Sequence, residues 1–356
     1  NDGVIENVHA LGGVVTSLAL DAGGLAAVNG GVITDSSYLV WVDTQLNGLN
    51  PGSGISAFGI GGIAGVNDSG ATISRSSSNG DIDVQTGAVV DEGGFVGRNA
   101  GTITDVRVDL PQVTLQEATD ANMGGLVGRN LFGGIIERAH TETGEVRGSD
   151  LGGPTVNTLN IGGLVGQNLG QVYDVYSQTD VTAQDATSMR VGGLVGDNTN
   201  IVDNAYSVGF VSAPAPGIGV EVGGFAGANS AFIGASFWDT QTSGQASSAG
   251  GTANTTAQLQ NTDDFITQAE ILGWDFTGPW VPGAPGHYPV LNTTSAAIFA
   301  APNDTTFTYD NNDSGFDVTG VFAGGPTTFV FGIDGETLDI TQLNDEVLAA
   351  SADVGT

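Results

Sequence analysis

The chain has 356 residues, 39 of them acidic and seven basic, for a net charge of −32, with neither lysine nor cysteine. Disulfides, thiolate zinc sites and lysine isopeptide cross-links are excluded, and nucleic acid is a poor partner for want of a basic footprint. No run of about 20 apolar residues offers a membrane span, and an anionic membrane surface repels the chain.

All seven cations are arginines: Arg75, Arg98, Arg107, Arg129, Arg138, Arg147 and Arg190. The acidic excess suits solubility in saline water and attracts divalent cations. Asn1 lies inside the repeat pattern described next, with no initiator Met and no signal-peptide core, so the chain is expected to be a mature product or a piece of something longer.

From Gly23 onward one motif recurs: two glycines, a small apolar pair, glycine, any residue, asparagine. The first copy, GGLAAVN at Gly23–Asn29, is degraded, with Ala27 in place of the third glycine. Six full copies follow, opening on Gly61-Gly62, Gly93-Gly94, Gly124-Gly125, Gly162-Gly163, Gly192-Gly193 and Gly223-Gly224. They close on Asn67, Asn99, Asn130, Asn168, Asn198 and Asn229. The starts fall 38, 32, 31, 38, 30 and 31 residues apart, a period that marks an array whose units bury their apolar faces against one another.

A second block follows each motif, with a β-branched residue (Ile33, Ile103, Val172, Val202, Ile233) ten positions after the first glycine in five units. A third β-prone segment closes most units: Val14-Val-Thr, Ile82-Asp-Val, Val113-Thr-Leu, Val181-Thr-Ala, Phe210-Val-Ser. Frequent glycine and the lack of a 3.6-residue period argue against helix over 1–240. The expected architecture is all-β: a right-handed parallel β-solenoid with three short strands per unit. Seven to eight coils about 4.8 Å apart make a rod of roughly 35 Å.

Motif roles follow from chemistry. Ile63, Phe95, Leu126, Leu164, Leu194 and Phe225 are expected to stack in the core. The paired glycines are expected to turn with φ > 0 or to permit close backbone approach. The asparagines suit an αL turn or a ladder of amide hydrogen bonds.

These residues resemble the GLUG motif, a glycine-rich repeat of large secreted bacterial proteins of the filamentous-haemagglutinin type, many exported by two-partner secretion, and of some IgA-protease-like surface proteins. The segment from Ser236-Phe-Trp-Asp through Tyr288-Pro-Val-Leu looks like the close of such arrays, so the likeness covers residues 1 to about 291. It implies a secreted, extracellular, non-enzymatic adhesive protein whose partner is a surface receptor or polysaccharide. A filament of self-associating copies and a carbohydrate-binding or carbohydrate-active β-helix are the alternatives.

Residues 241–291 are expected to cap the open end of the array. Within them 255–272 is the best helical stretch, with Asp263 as N-cap, Phe265, Ile266, Ala269 and Leu272 near one face, and Gly273 as the stop. Trp238, Trp274 and Trp280 read as cap core, with an aromatic sugar platform as the rival. Residues 292–356 alternate β-prone runs (Phe307-Thr-Tyr, Phe316-Asp-Val-Thr, Thr328-Phe-Val-Phe, Thr337-Leu-Asp-Ile) with turns and read as a small all-β module.

His9, His140 and His287 are far apart in sequence and match no catalytic spacing. A polysaccharide-active site would need basic partners for its carboxylates, and Arg98, Arg129, Arg138 and Arg147 are the candidates to share one region. Two residues beyond the β-branched position runs an acid-rich column: Asn7, Asp35, Arg75, Asp105, Glu137, Asp174, Asp203, Ala235. In register, like charges about 5 Å apart repel. Either loop differences splay them into water or a cation such as Ca²⁺ bridges pairs like Asp174 and Asp203. Asp310, Asn312 and Ser314 before Gly315 are spaced like the start of a calcium loop, although Val321 stands at its twelfth position.

Overall fold

A computed structural model describes residues 1–10, 14–16, 21–39, 41–45, 58–79, 81–85, 89–109, 111–116, 120–149, 156–184, 186–214, 219–283, 286–292, 328–331 and 336–339. Asp310, Asn312 and the runs at Phe307 and Phe316 lie outside these residues.

The array is a parallel β-solenoid, and each full coil contributes strands to four stacked sheets rather than three. In the second coil, an entry strand (Phe58–Gly61) leads through Gly62-Ile63 into a motif strand (Ala64–Asn67). A bend strand follows in two pieces (Thr72–Ser74 and Ser77–Ser78), then a return strand (Asp81–Gln85). The entry, motif and return sheets each stack seven strands, and the bend sheet is the widest. The entry strand is the one absent from the sequence expectation. Its residues (Phe58-Gly-Ile, Val89-Val-Asp-Glu, Asp120-Ala-Asn-Met) share no composition from coil to coil, so no repeat marks it.

Register is strict and parallel: Asn67 aligns with Asn29 and Asn99, and Ile73 with Ile33 and Ile103. Ile63, Phe95, Leu126, Leu164, Leu194 and Phe225 are all buried, as are Ile33, Ile73, Ile103, Ile136, Val172 and Val202. Identical or near-identical side chains thus stack along the rod axis and fill the core with like upon like.

The motif glycines act through close approach and not through positive φ, which none of them adopts. A Cβ on Gly62 would lie against the carbonyl oxygen of Gly94 in the next coil, and one on Gly97 against the amide nitrogen of Ile60 in the coil before. Even the corner bonds coil to coil, Phe95 N donating to Leu126 O at 3.0 Å. The third glycine makes its contact with the preceding coil. The motif strand Ala26–Asn29 has no entry or motif strand of a preceding coil beside it among the described residues, so Ala27 is tolerated there, exposed.

The C-terminal part divides in two. Residues 240–254 close the end of the rod: Ser248 Oγ accepts from the amides of Phe225 (3.2 Å) and Ala226 (2.9 Å), and Thr252–Asn254 adds a strand beside Ser236–Asp239. Residues 255–283 and 286–291 instead fold back over the outer face of the bend sheet. That face carries an in-register column of His140, Tyr176, Tyr206 and Phe237. Leu259, Phe265, Trp274, Trp280 and Leu291 bury themselves on its aromatic part. The expectation of a single end cap is corrected accordingly: tyrosines at an outward position make a lateral apolar face that must be covered.

Two helices replace the one expected, Thr256–Leu259 and Thr262–Ile271. Asn261, not Asp263, is the second N-cap, its side chain accepting from Asp264 N. Phe265 and Ala269 face inward, whereas Leu272 is exposed at the C-cap and Gly273 stops the helix at φ +110°. Trp280–Val281 pairs antiparallel with Val290–Leu291, and Thr328–Phe331 with Glu336–Asp339.

Candidate functional site

The expected asparagine ladder is present. From Asn1 through Asn29, Asn67, Asn99, Asn130, Asn168 and Asn198 to Asn229, each Nδ2 donates to the next Oδ1 at 2.8–2.9 Å. Six of these side chains, Asn29 to Asn198, are fully buried. The amide of the second residue after Asn29, Asn168, Asn198 and Asn229 also donates to that asparagine's Oδ1. The ladder is structural, and its side chains adopt no αL backbone.

The acid-rich column is shifted from its expected membership. The β-branched positions in register are Ile103, Ile136, Val172 and Val202. The column two residues on therefore reads Asn7, Asp35, Arg75, Asp105, Arg138, Asp174 and Asn204, with Arg138 and Asn204 in place of Glu137 and Asp203. Two consecutive β-branched residues at 135–136 and 201–202 disguised the register. All seven have φ between +44° and +56° and turn the bend strand. The Asn and Asp residues belong here because they tolerate αL better than other side chains.

Charge in this column is paired between coils. Arg75 grips Asp35 through Nε (2.8 Å) and Nη2 (2.7 Å), holding that carboxyl below its ordinary range. Arg138 likewise grips Asp105 (2.7 and 3.1 Å) and reaches Glu137 Oε1 at 3.0 Å. Asp174 accepts from Trp280 Nε1 (2.9 Å) and Asn204 Nδ2 (3.3 Å), while burial pushes its carboxyl upward. Asp203 Oδ1 accepts from the amides of Asn204 and Ala235 at 3.1 and 2.8 Å. Asp174 and Asp203 are thus engaged with different partners, and Asp203 aligns with Tyr173. Among the described residues no group of three or more His, Asp or Glu side chains gathers as a metal cage.

Nor do the four arginines share one region. Arg98 and Arg129 are in-register neighbours on the motif sheet, Arg138 lies on the bend sheet and Arg147 on the return sheet. His140 is buried, stacked on Tyr176 at 4.5 Å, with Nε2 3.0 Å from Glu142 Oε1, which holds the Glu142 carboxyl down. Trp238, Trp274 and Trp280 are interior, as expected of closing-segment core; none offers an open sugar platform.

Sequence reasoning missed the most developed polar feature. One column of the entry sheet reads Asp21, Gly59, Asp91, Asn122, Asn160, Arg190, Glu221. A column of the motif sheet reads Arg98, Arg129, Gln167, Asp197. The two are bonded into a seam. Arg98 Nη2 donates to Asp21 Oδ1 at 2.7 Å. Asn160 donates to Asn122 Oδ1 (2.8 Å), and Asn122 to Asp91 Oδ1 (2.6 Å). Arg190 reaches Asn160 (3.2 Å), Glu221 (3.1 Å) and Asp197 (3.8 Å). Asp91 is fully buried and its Oδ2 has no partner; burial pushes its carboxyl up to about 6 against the pull of Asn122, Arg129 and Arg98. The signal was present, as polar residues ahead of six of the seven Gly-Gly pairs, but those positions carry no common residue to read.

The seam is a fixed array of donors and acceptors along the rod, suited to holding coils in register and to polar contact at its exposed rim. No protein-family model matches the chain, and no curated protein or solved structure matches it either, so the likeness to the GLUG repeat rests on the residues themselves.

Proposed function

We propose that this chain is a secreted, non-enzymatic surface protein, a segment of an adhesin that attaches to cells or surfaces through a stiff rod. One observation carries the reading: the repeated residues are spent on the rod's interior. The motif glycines serve close approach, the asparagines bond one another, and the third motif residue fills the core. What remains for a partner is what varies between coils. Phe132 and Phe232, 86% and 57% exposed beyond Asn130 and Asn229, are such positions. A surface receptor or a polysaccharide is the partner class.

The test is binding of the purified protein to bacterial and host cells and to neutral and acidic polysaccharides, with product release assayed in parallel. Retention without product formation is expected, reduced by Phe132→Ser or Phe232→Ser at unchanged melting temperature. Turnover of a polysaccharide would overturn the non-enzymatic reading.

A filament is the second reading. At the N-terminal end of the rod, Val4–Glu6, Val14–Thr16, Asp21–Gly23 and Ala26–Asn29 each have an edge with no strand beyond it among the described residues. Val4, Val8, Val28, Val32 and Leu39 are exposed near that end. Such edges accept strands from another copy. Negative-stain microscopy at high protein concentration distinguishes the two: filaments support this reading, dispersed rods the first.

A further inference from the structure

The inward position of the entry strand carries Ala22, Ile60, Glu92, Met123, Ile161, Val191 and Val222 in register. Six of the seven are apolar. The seventh, Glu92, is fully buried between Ile60 and Met123, and neither of its carboxyl oxygens has a hydrogen-bond partner. A carboxylate in such a place, with no cation or donor, is among the costliest groups a core can hold. A neutral carboxyl costs far less, so the fold selects the protonated form.

The charged groups around it reinforce that selection. In its own sheet Glu92 is flanked by Ile60 and Met123, and in the return strand that closes the coil before it stand Asp81 and Asp83. Asp83 adds its negative charge to the effect of burial, and the two together push the Glu92 carboxyl well above its ordinary value near 4.5. Thr114 and Arg147, one and two coils along, continue the column of Asp83. The arginines of the seam, Arg98 and Arg129, act on Asp91, whose side chain leaves the opposite face of the same strand.

We propose that Glu92 is a proton-operated latch in the third coil: protonated, it packs as a core residue and the coil is closed; ionised, it draws water into the core and loosens the strand Val89–Gly93. The step is the loss of one proton from the Glu92 carboxyl to solvent base. Because the folded chain holds this proton more tightly than the unfolded chain, the stabilisation is complete in acid and is lost as pH rises above the unfolded value. The rod therefore has a coil at its middle that is tight in mildly acidic surroundings and loose in alkaline ones, whatever it binds.

Hydrogen–deuterium exchange on the full chain tests this, with Val89–Gly93 compared against Ala186–Gly192 as an internal reference. The expected result is a relative loss of protection in Val89–Gly93 of about tenfold or more from mildly acidic to mildly alkaline pH, after correction for intrinsic exchange. Glu92→Met, which copies the residue of the next coil, should abolish the pH dependence. Glu92→Gln should abolish it too, with lower protection at both pH values because its amide is unsatisfied. Asp91→Asn should leave the dependence of Val89–Gly93 in place. Equal relative protection at both pH values in the unmodified protein, or a dependence that survives in Glu92→Met, would overturn the latch.

Discussion

The asparagine ladder and the left-handed column of the bend sheet run along the same rod, the first at the ends of the motif strands and the second in the bend strands. One repeats its residue in every coil and the other does not. The ladder is buried, and an amide is both donor and acceptor, so asparagine stacked on asparagine satisfies each neighbour and nothing else of that size does. The bend column lies nearer solvent and is defined by backbone conformation, which Asn and Asp accept readily. Stacked carboxylates repel, so arginine enters at Arg75 and Arg138 and grips the acid of the preceding coil. Identity is enforced where a hydrogen-bond pattern must close on itself; variation is permitted where charge has only to alternate.

That contrast is open to direct attack. The largest effect is expected from Asn99→Asp, which removes the donor to Asn130 and places a carboxylate in a fully buried site. A loss of about 3–5 kcal/mol is expected at neutral pH, and the loss should shrink in acid, where a protonated carboxyl donates again. Asn99→Ala leaves the Asn67 amide without its acceptor and the Asn130 oxygen without its donor, a loss of about 2–4 kcal/mol. Both are read from denaturant midpoints. Equal stability of either variant with the parent would remove the ladder from its structural role.

The bend column should respond less and more selectively. Arg138→Ala loses the paired contact to Asp105 and sets alanine at φ +49°, for about 1–2 kcal/mol. Arg138→Asn also loses the ion pair but suits the backbone, and should recover about half of that deficit. If alanine and asparagine behaved alike, backbone conformation would not be what selects the column. Smaller still is Arg75→Asn, where the pair with Asp35 is more exposed; a change within about 0.5 kcal/mol, vanishing in high salt, is expected in thermal melts. Excess Ca²⁺ should leave the melting temperature unchanged, because Arg75 and Arg138 already balance Asp35 and Asp105; a rise would place a cation on the acids after all.

Much of the architecture was legible because it repeats. A seven-residue pattern at an interval near 31 residues states which positions face the same environment, and Ile63 and its equivalents were read as core on that ground alone. Asn67 and its equivalents were read as a ladder for the same reason. What did not repeat was misread. The entry strand has no shared composition, so it went uncounted, and with it the seam of Asp91, Asn122 and Asn160 and the misplaced Glu92. Adjacent β-branched residues at Ile135-Ile136 and Ile201-Val202 offered two registers, and the wrong one put Glu137 and Asp203 into the bend column. The tryptophans were read as closing-segment core, yet Trp274 and Trp280 cover the flank of the rod instead of its end.

The sequence alone therefore determined the class of fold, the coil spacing and the two stacked columns of core and amide, because each depends only on the same residue meeting itself one coil away. The tertiary structure decided everything that depends on unlike residues meeting. It placed Arg138 on Asp105 and Trp280 on Asp174, joined Arg98 to Asp21, and left Glu92 alone in hydrocarbon. Those contacts are set by loop lengths and by the return of the C-terminal segment across the bend sheet, and no period in the chain encodes them.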